Sequence, residues 1–226
     1  MGVSELAEAV NVPKSTAHRL LLVLTKSGYV RRSGGMYALS TRTFELGNQV
    51  PFARANGLRD CAMPILSELY AQTGHVVHLA VPDGPAVLVI EKLYGPESVR
   101  VGTTVGMRCP GNATALGRAI LAFSEIEPGG ATPAQCDRPT ASTVDIAMLD
   151  TTLEQIRQRG YATDFGEAFL GISCIAVPIV DRRTGRPVAA MSLSARAEGR
   201  SILRYRARML DAAEQVSDHV GSGEVA

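Results

Sequence analysis

Pro13 stands between two stretches of helical periodicity, and no other feature constrains the first fifty residues as strongly. Proline disfavours helix at the residue before it and suits a first helical position. One helix must therefore end at Asn11-Val12, and a second must start just beyond Pro13. Residues 4–10 read as the first, with Ser4 as N-cap and Leu6, Ala9 and Val10 on one face. Residues 15–26 read as the second. Its Ala17, Leu20, Leu21 and Leu24 recur at helical spacing and are expected to be buried, and Gly28 ends it. Two short strand-like runs, 29–32 and 36–39, flank Ser33-Gly34-Gly35, a hairpin tip, and residues 41–46 add a further helical turn or two.

Helix, turn, helix and basic hairpin is the order of a winged helix-turn-helix. Such a unit buries one face of its second helix and offers the other, from its first turn, to base edges in a major groove. Lys14, Ser15, Thr16, His18 and Arg19 are placed to do this, and Arg31 and Arg32 could reach the backbone or minor groove. The plainer alternative is an amphipathic helix with a solvated face and an ordinary surface hairpin. Charge favours the first reading. Residues 1–50 hold six basic against three acidic groups, whereas the remaining 176 hold 17 against 19.

After a linker at 51–58 the pattern changes. Helical periodicity over 58–72 is followed by strand-like runs at 76–81 and 86–93, with 99–101 as a possible third. Helices are expected at 113–123, 152–159 and 201–220, and strands at 172–180 and 188–195. Strand pairs interspersed with helices, without strict alternation, favour an α+β domain. The expected division is therefore 1–50, linker 51–58, and 59–226. Hydrophobic residues at 46% exclude a wholly disordered chain. The absence of Trp and only 5% aromatics argue against a stacking groove for single strands. The longest apolar run, 172–180, contains Ser173 and Pro178 and is too short to span a bilayer, so no membrane partner is expected. The first five residues lack the features of a secretory signal. Cys61, Cys109, Cys136 and Cys174 are 48, 27 and 38 residues apart, neither a metal knuckle nor a disulfide scaffold, which predicts a reducing cytoplasm.

Ser192 and Ser194 share one face of a strand, as do Ile172 and Cys174. Hydroxyls and a thiol on an apolar sheet face are costly unless paired or met by a ligand. Gly111-Asn112-Ala113-Thr114 leads into a helix whose first amides, at Ala115 and Leu116, are candidates to hold a carboxylate. The same cysteines, Cys109 and Cys174, could equally be inert core residues, and the serines simply hydrogen-bonded strand positions. A thiol hydrolase would need Cys174 activated by His75 or His78, but no nucleophile-elbow motif accompanies them. His75 and His78 are three apart, so on a strand they point to opposite faces and share a metal ion poorly. Arg196, Arg200, Arg204, Arg206 and Arg208 near the C-terminus read as a solvated face, with a second DNA contact as the lesser alternative. Neither enzymatic activity, metal nor cofactor is expected.

The run Val12-Pro13-Lys14-Ser15-Thr16-Ala17-His18-Arg19-Leu20-Leu21, followed by Gly28-Tyr29-Val30 and Tyr37-Ala38-Leu39, strongly resembles the DNA-binding domain of the IclR family of bacterial transcriptional regulators. The likeness continues through His75-x-x-His78-Leu79-Ala80-Val81, the segments 111–119 and 157–161, Gly171-Ile172-Ser173-Cys174-Ile175-Ala176-Val177-Pro178 and Ala189-Ala190-Met191-Ser192-Leu193-Ser194. It spans about residues 3–220. The resemblance implies a winged helix-turn-helix followed by a GAF-like effector-binding domain, a curved antiparallel sheet flanked by helices. It implies an effector pocket lined by Ala115, Leu116, Asp164, Cys174, Ser192 and Ser194, with apolar neighbours Val101, Cys109 and Ile172. The implied partners are a double-stranded operator, a small organic or aromatic acid effector, and further copies of the chain as a dimer or tetramer. Asn112 stands where the family often has His, and Asp164-Phe165-Gly166-Glu167 replaces a more acidic run, which predicts altered pocket polarity. The family also has a helix before the segment that begins here at Met1. Without it the faces of Leu6, Leu20 and Leu24 lose a cover, so either the native start lies upstream or the reader is weakened. The alternative function is a small-molecule binding module that has lost DNA binding through N-terminal truncation.

Overall fold

The computed structural model describes residues 1–125, 140, 146–197 and 201–221. Cys136, Arg200 and most of the stretch 124–148 therefore lie outside the described residues. The chain divides into two compact units, Met1–Ala55 and Asn56–Ala226.

In the first unit α1 (Val3–Ala9) and α2 (Lys14–Lys26) are joined by a turn in which Asn11 adopts a φ of 51°. Asn tolerates this left-handed conformation because its short side chain bonds locally. The N-cap of α1 is Gly2, not Ser4: the Gly2 amide donates to Glu5 Oε2 at 2.7 Å, which satisfies a free helix-end donor. The hairpin pairs β1 (Val30–Ser33) with β2 (Met36–Leu39) and sets Ser33 opposite Met36. Only Gly34 and Gly35 remain in the turn, at φ 56° and 81°, the conformation a two-residue hairpin demands. Leu21, Val30 and Tyr37 form the core, with Val3 and Leu6 packed against it and Ala7 and Ala17 also buried. Leu20 and Leu24, expected inside, are 51% and 40% exposed, and Ala9 and Val10 are exposed too. The core of so small a unit reaches only a narrow stripe of each helix. The last helix, α3 (Thr41–Gly47), has no buried side chain and is tethered by Thr43 Oγ1 donating to the Tyr29 carbonyl and Arg42 to that of Ser27.

The second unit opens with α4 (Leu58–Thr73) and builds one antiparallel sheet in the order β5-β4-β3-β8-β7-β6. Its strands are β3 (Val76–Asp83), β4 (Ala86–Leu93), β5 (Arg108–Pro110), β6 (Ala162–Phe165), β7 (Ile172–Val180) and β8 (Pro187–Arg196). The helices are α5 (Ala115–Leu121), α6 (Ile146–Arg159) and α7 (Arg206–Gly221), the last preceded by a 3-10 turn at Ser201–Tyr205. The unit is α+β. The expected strand at 99–101 does not form. The Val101 and Thr103 carbonyls instead accept from Lys92 Nζ at 2.8 and 2.7 Å, so an ammonium satisfies acceptors that a ladder would otherwise have to fill.

Strand alternation divides the sheet into two faces. Helices α4 and α7 pack on one of them, against β3, β4, β7 and β8. On the other, Ala80, Ala162, Ala176 and Ala190 cluster with Ala115, Leu116, Ala119 and Ile120 of α5 and with Leu149, Leu153 and Ile156 of α6. Small side chains at those four strand positions let α5 settle close to the sheet. Gly117 completes the fit, because a Cβ there would lie 2.3 Å from Gly111 Cα and carbonyl oxygen. Gly117→Ala should therefore cost about 1–3 kcal/mol of stability, read from denaturant unfolding of the full chain. An unchanged midpoint would show that α5 has room to shift.

Candidate functional site

Beyond the alanines, the same sheet face turns polar. Register places Asp164 opposite Cys174, Cys174 opposite Ser194, and Ser194 opposite Val76. Two residues further along, His78 lies between Lys92 on β4 and Ser192 on β8. Directly opposed residues share a face, so four strands deliver these groups to one place. They line a cavity of about 30 Å³, closed by the first turn of α5, by Val101 and Thr103 of the 94–107 connection, and by Ala168 and Phe169 of the β6–β7 connection. In this conformation it has room for about one water. A wider open groove of about 960 Å³ is bordered by Lys92 and by Tyr94, Val99, Arg100 and Val105 of the 94–107 connection.

Of the expected pocket residues, Val101, Cys109, Ala115, Leu116, Asp164, Cys174, Ser192 and Ser194 all border this cavity. Ile172 does not: it is buried against Val76 and Val101, beside Phe169. The residues that sequence reasoning missed are His78, Val89, Thr103, Thr114, Ala168 and Phe169. His78 is 2% exposed and hydrogen-bonds Thr103 Oγ1 through Nε2 at 2.7 Å.

Both Asp164 carboxylate oxygens accept backbone amides, from Glu167 at 2.7 Å and Ala168 at 3.2 Å. Burial nevertheless pushes this carboxyl up to about 6, and Glu167 adds to the shift while the two amides and Arg118 oppose it. Arg118, buried in α5, donates to Glu167 Oε2 at 2.5 Å, the Thr163 carbonyl at 2.6 Å and the Asn112 carbonyl at 3.4 Å. This ion pair ties the β6–β7 connection to α5.

Cys174 Sγ lies 3.0 Å from Ser194 Oγ, and burial first, then Asp164, pushes the thiol up to about 12. Burial, reinforced by Lys92, lowers His78 to about 3. Thiol and imidazole are thus both neutral near pH 7, the reverse of an activated nucleophile and base. His75 turns away and packs edge-on against Tyr205, with ring centroids 5.2 Å apart. Among the described residues no group of three His, Cys, Asp or Glu side chains is placed to hold a metal ion, and no helix is long and apolar enough to cross a membrane.

In the first unit, Lys14, Ser15, His18 and Arg19 are exposed along α2, and Thr16 is half-buried. Helix α2 carries no acidic side chain, so its N-terminal turn combines basic residues with the positive end of the helix dipole. Arg31 and Arg32 are exposed on β1, opposite Ala38 and Tyr37. Neighbours on a strand face opposite ways, and Arg32 lies over the Tyr37 ring at 5.6 Å. Arg196, Arg204, Arg206 and Arg208 are exposed.

Comparison with known proteins follows the same two units. The family model described as the bacterial transcriptional regulator IclR C-terminal domain matches residues 52–218, and that of the IclR helix-turn-helix domain matches residues 1–34. The chain is 31% identical over 229 residues to the HTH-type transcriptional regulator KdgR of Dickeya chrysanthemi, covering 98% of this chain and 74% of that protein. The crystal structure of Thermotoga maritima IclR superposes with a TM-score of 0.73 at 32% identity, covering 98% of this chain and 91% of the other. An IclR homologue from Microbacterium hydrocarbonoxydans, crystallised with 4-hydroxybenzoate, has the same fold, with a TM-score of 0.83 at 24% identity over 98% of this chain and 92% of that one.

Proposed function

Because the chain belongs to the IclR family of bacterial transcriptional regulators, we propose that it reads an operator through Lys14, Ser15, Thr16, His18 and Arg19 of α2, with Arg31 and Arg32 of the hairpin as backbone contacts. It is a transcriptional regulator with a ligand-binding C-terminal domain, not an enzyme. Operator release is controlled by a small organic or aromatic acid seated in the cavity of the second unit, which holds about one water in this conformation and widens to admit the acid. The observation that carries this reading is the convergence of Asp164, Cys174, Ser192 and Ser194, from three strands, on one buried space with Ala115 and Leu116 above it. The 4-hydroxybenzoate bound by the Microbacterium homologue supports the aromatic-acid choice and supplies a first probe. The proposed organisation is a reader at 1–50, a linker at 51–58 and a sensor at 59–226, supported by the two compact units. A cytoplasmic homodimer or homotetramer would set recognition helices in successive major grooves of a pseudo-palindromic site.

Selection of genomic fragments by the full-length protein, followed by titration of the retained duplex, tests both halves. Arg19→Ala should weaken specific binding by roughly 1–3 kcal/mol, the worth of a bidentate base contact. Ser194→Ala combined with Asp164→Ala should abolish release by 4-hydroxybenzoate while leaving ligand-free DNA binding intact. A protein that retains no duplex overturns the operator reading and leaves the second one, a small-molecule binding module that does not engage DNA. The exposure of Leu20 and Leu24 on the reading helix is the observation that favours this alternative.

A further inference from the structure

We propose that His78, its Nε2 accepting from Thr103 Oγ1, is a specificity-determining residue of the effector pocket: its Nδ1–H donates a hydrogen bond to an acceptor group at the end of the cavity away from Asp164. The proposal rests on the pocket reading above and adds the chemical class of ligand that the pocket selects.

The cavity has two polar ends. Asp164 on β6 and His78 on β3 are separated by β7 and β8. Three strand spacings put them about 14 Å apart along the sheet. Between them β7 and β8 present Cys174, Ser192 and Ser194, and the rest of the lining is largely apolar, with Val89, Cys109, Leu116 and Phe169. The two ends differ in charge. At the first end are the carboxyl groups of Asp164 and Glu167 and the guanidinium of Arg118, which is paired with Glu167. Near His78 the close charge is Lys92, directly opposite on β4, whose ammonium is held by the carbonyls of the cavity residues Val101 and Thr103. An anionic or carbonyl oxygen is therefore favoured at the His78 end and opposed at the Asp164 end.

Proton arithmetic is compatible with the same polarity. A neutral imidazole carries one N–H and threonine carries one O–H. The bond between His78 Nε2 and Thr103 Oγ1 uses one of these two protons. If Nε2 carries the hydrogen, the threonine hydroxyl keeps its own to donate; if Nε2 accepts, Nδ1–H is left. Among the described residues neither side chain has another hydrogen bond, and both border the cavity. Each tautomer leaves one donor and at least one free lone pair, so the count alone selects no polarity; the Lys92 ammonium favours the arrangement in which Nε2 accepts from Thr103 Oγ1 and Nδ1–H meets a ligand acceptor. The selected class is a small molecule with a donor, hydroxyl or ammonium, for Asp164, an apolar middle, and a carboxylate or carbonyl for His78 and Thr103.

Calorimetry on the full-length protein compares 4-hydroxybenzoate, polar at both ends, with phenol, which lacks the acceptor. His78→Leu should weaken 4-hydroxybenzoate about tenfold or more, the loss expected for one hydrogen bond to a charged group, and leave phenol unchanged. His78→Asn, which restores an amide donor, should recover much of the loss. Circular dichroism and thermal unfolding confirm that the variants fold. Equal loss of both probes, or no loss of either, overturns the proposal. If 4-hydroxybenzoate binding survives His78→Leu but falls with Asp164→Asn, the pocket reading stands and the role of His78 falls. If neither probe binds the wild-type chain, or binding is indifferent to both substitutions, the pocket reading falls and takes this proposal with it.

Discussion

Arg118→Met should destabilise the second unit by about 3–5 kcal/mol, the usual cost of removing one partner of a buried ion pair. Arg118 is 1% exposed and its partner Glu167 has a side chain 13% exposed, so little water reaches either to replace the lost contact. The truncation strands a carboxylate and withdraws donors from the Thr163 and Asn112 carbonyls at once. The pair also holds the connection that carries Ala168 and Phe169 over the cavity, so the damage should reach the pocket wall. The double variant Arg118→Met with Glu167→Leu should recover a substantial part of the loss, because it removes the stranded charge as well as its partner. Urea unfolding of the wild type, the two single variants and the double variant, read as a mutant cycle, checks this. A cost below about 1 kcal/mol for the single variant would mean that solvent screens the pair as it screens a surface one.

The second large effect is a dependence on pH. Asp164, 2% exposed, has its folded-state affinity for a proton raised from 3.8 to about 6. Between those values the folded chain holds a proton that the unfolded chain has lost, so Asp164 stabilises the fold as pH falls and opposes it as pH rises. Asn cannot titrate. The stability difference between wild type and Asp164→Asn should therefore move by about 2 kcal/mol in favour of wild type from pH 7 to pH 4. His78 works in the other direction. Its folded value of about 3 lies below the unfolded 6.5, so stability is retained above 6.5 and lost as pH drops towards 3. In the wild type the two trends offset one another down to about pH 4, and below that the loss from His78 proceeds alone. Without Asp164 the loss should begin near pH 6.5. Parallel stability profiles for the two proteins would show that the Asp164 carboxyl is not desolvated.

Much of this architecture was legible in the chain. Pro13 and Gly28 bracket the second helix, and Gly34-Gly35 marks the hairpin turn, because each acts on backbone torsions that tertiary contacts rarely override. Ser192 with Ser194, and Cys174, announced themselves as polar groups on strand faces that had to be buried. What escaped notice depends on partners distant in sequence. Leu20 and Leu24 obey the helical period, yet whether a position is covered is decided by the neighbour, and here the small core stops at Leu21. Val99-Arg100-Val101 has the alternation of a strand, but Lys92 takes the Val101 and Thr103 carbonyls that a ladder would need. His78 and Thr103 are 25 residues apart, and only the pairing of β3 with β8 reveals that His78 stands beside Ser192. Arg118 was visible only as one member of a helical segment; nothing local signals a buried cation whose counter-ion lies 49 residues away.

That same β3–β8 seam has a bearing on biosynthesis. Strand β3 leaves the ribosome early and β8 is almost the last element to emerge, ending at Arg196. Joining partners so remote along the chain is entropically slow and cannot precede translation of the second one. A nascent polypeptide that already displays its N-terminal helices therefore has no place to receive a metabolite. On the proposed reading, responsiveness is acquired only once β8 has been made, and shorter translation products would be blind to the effector.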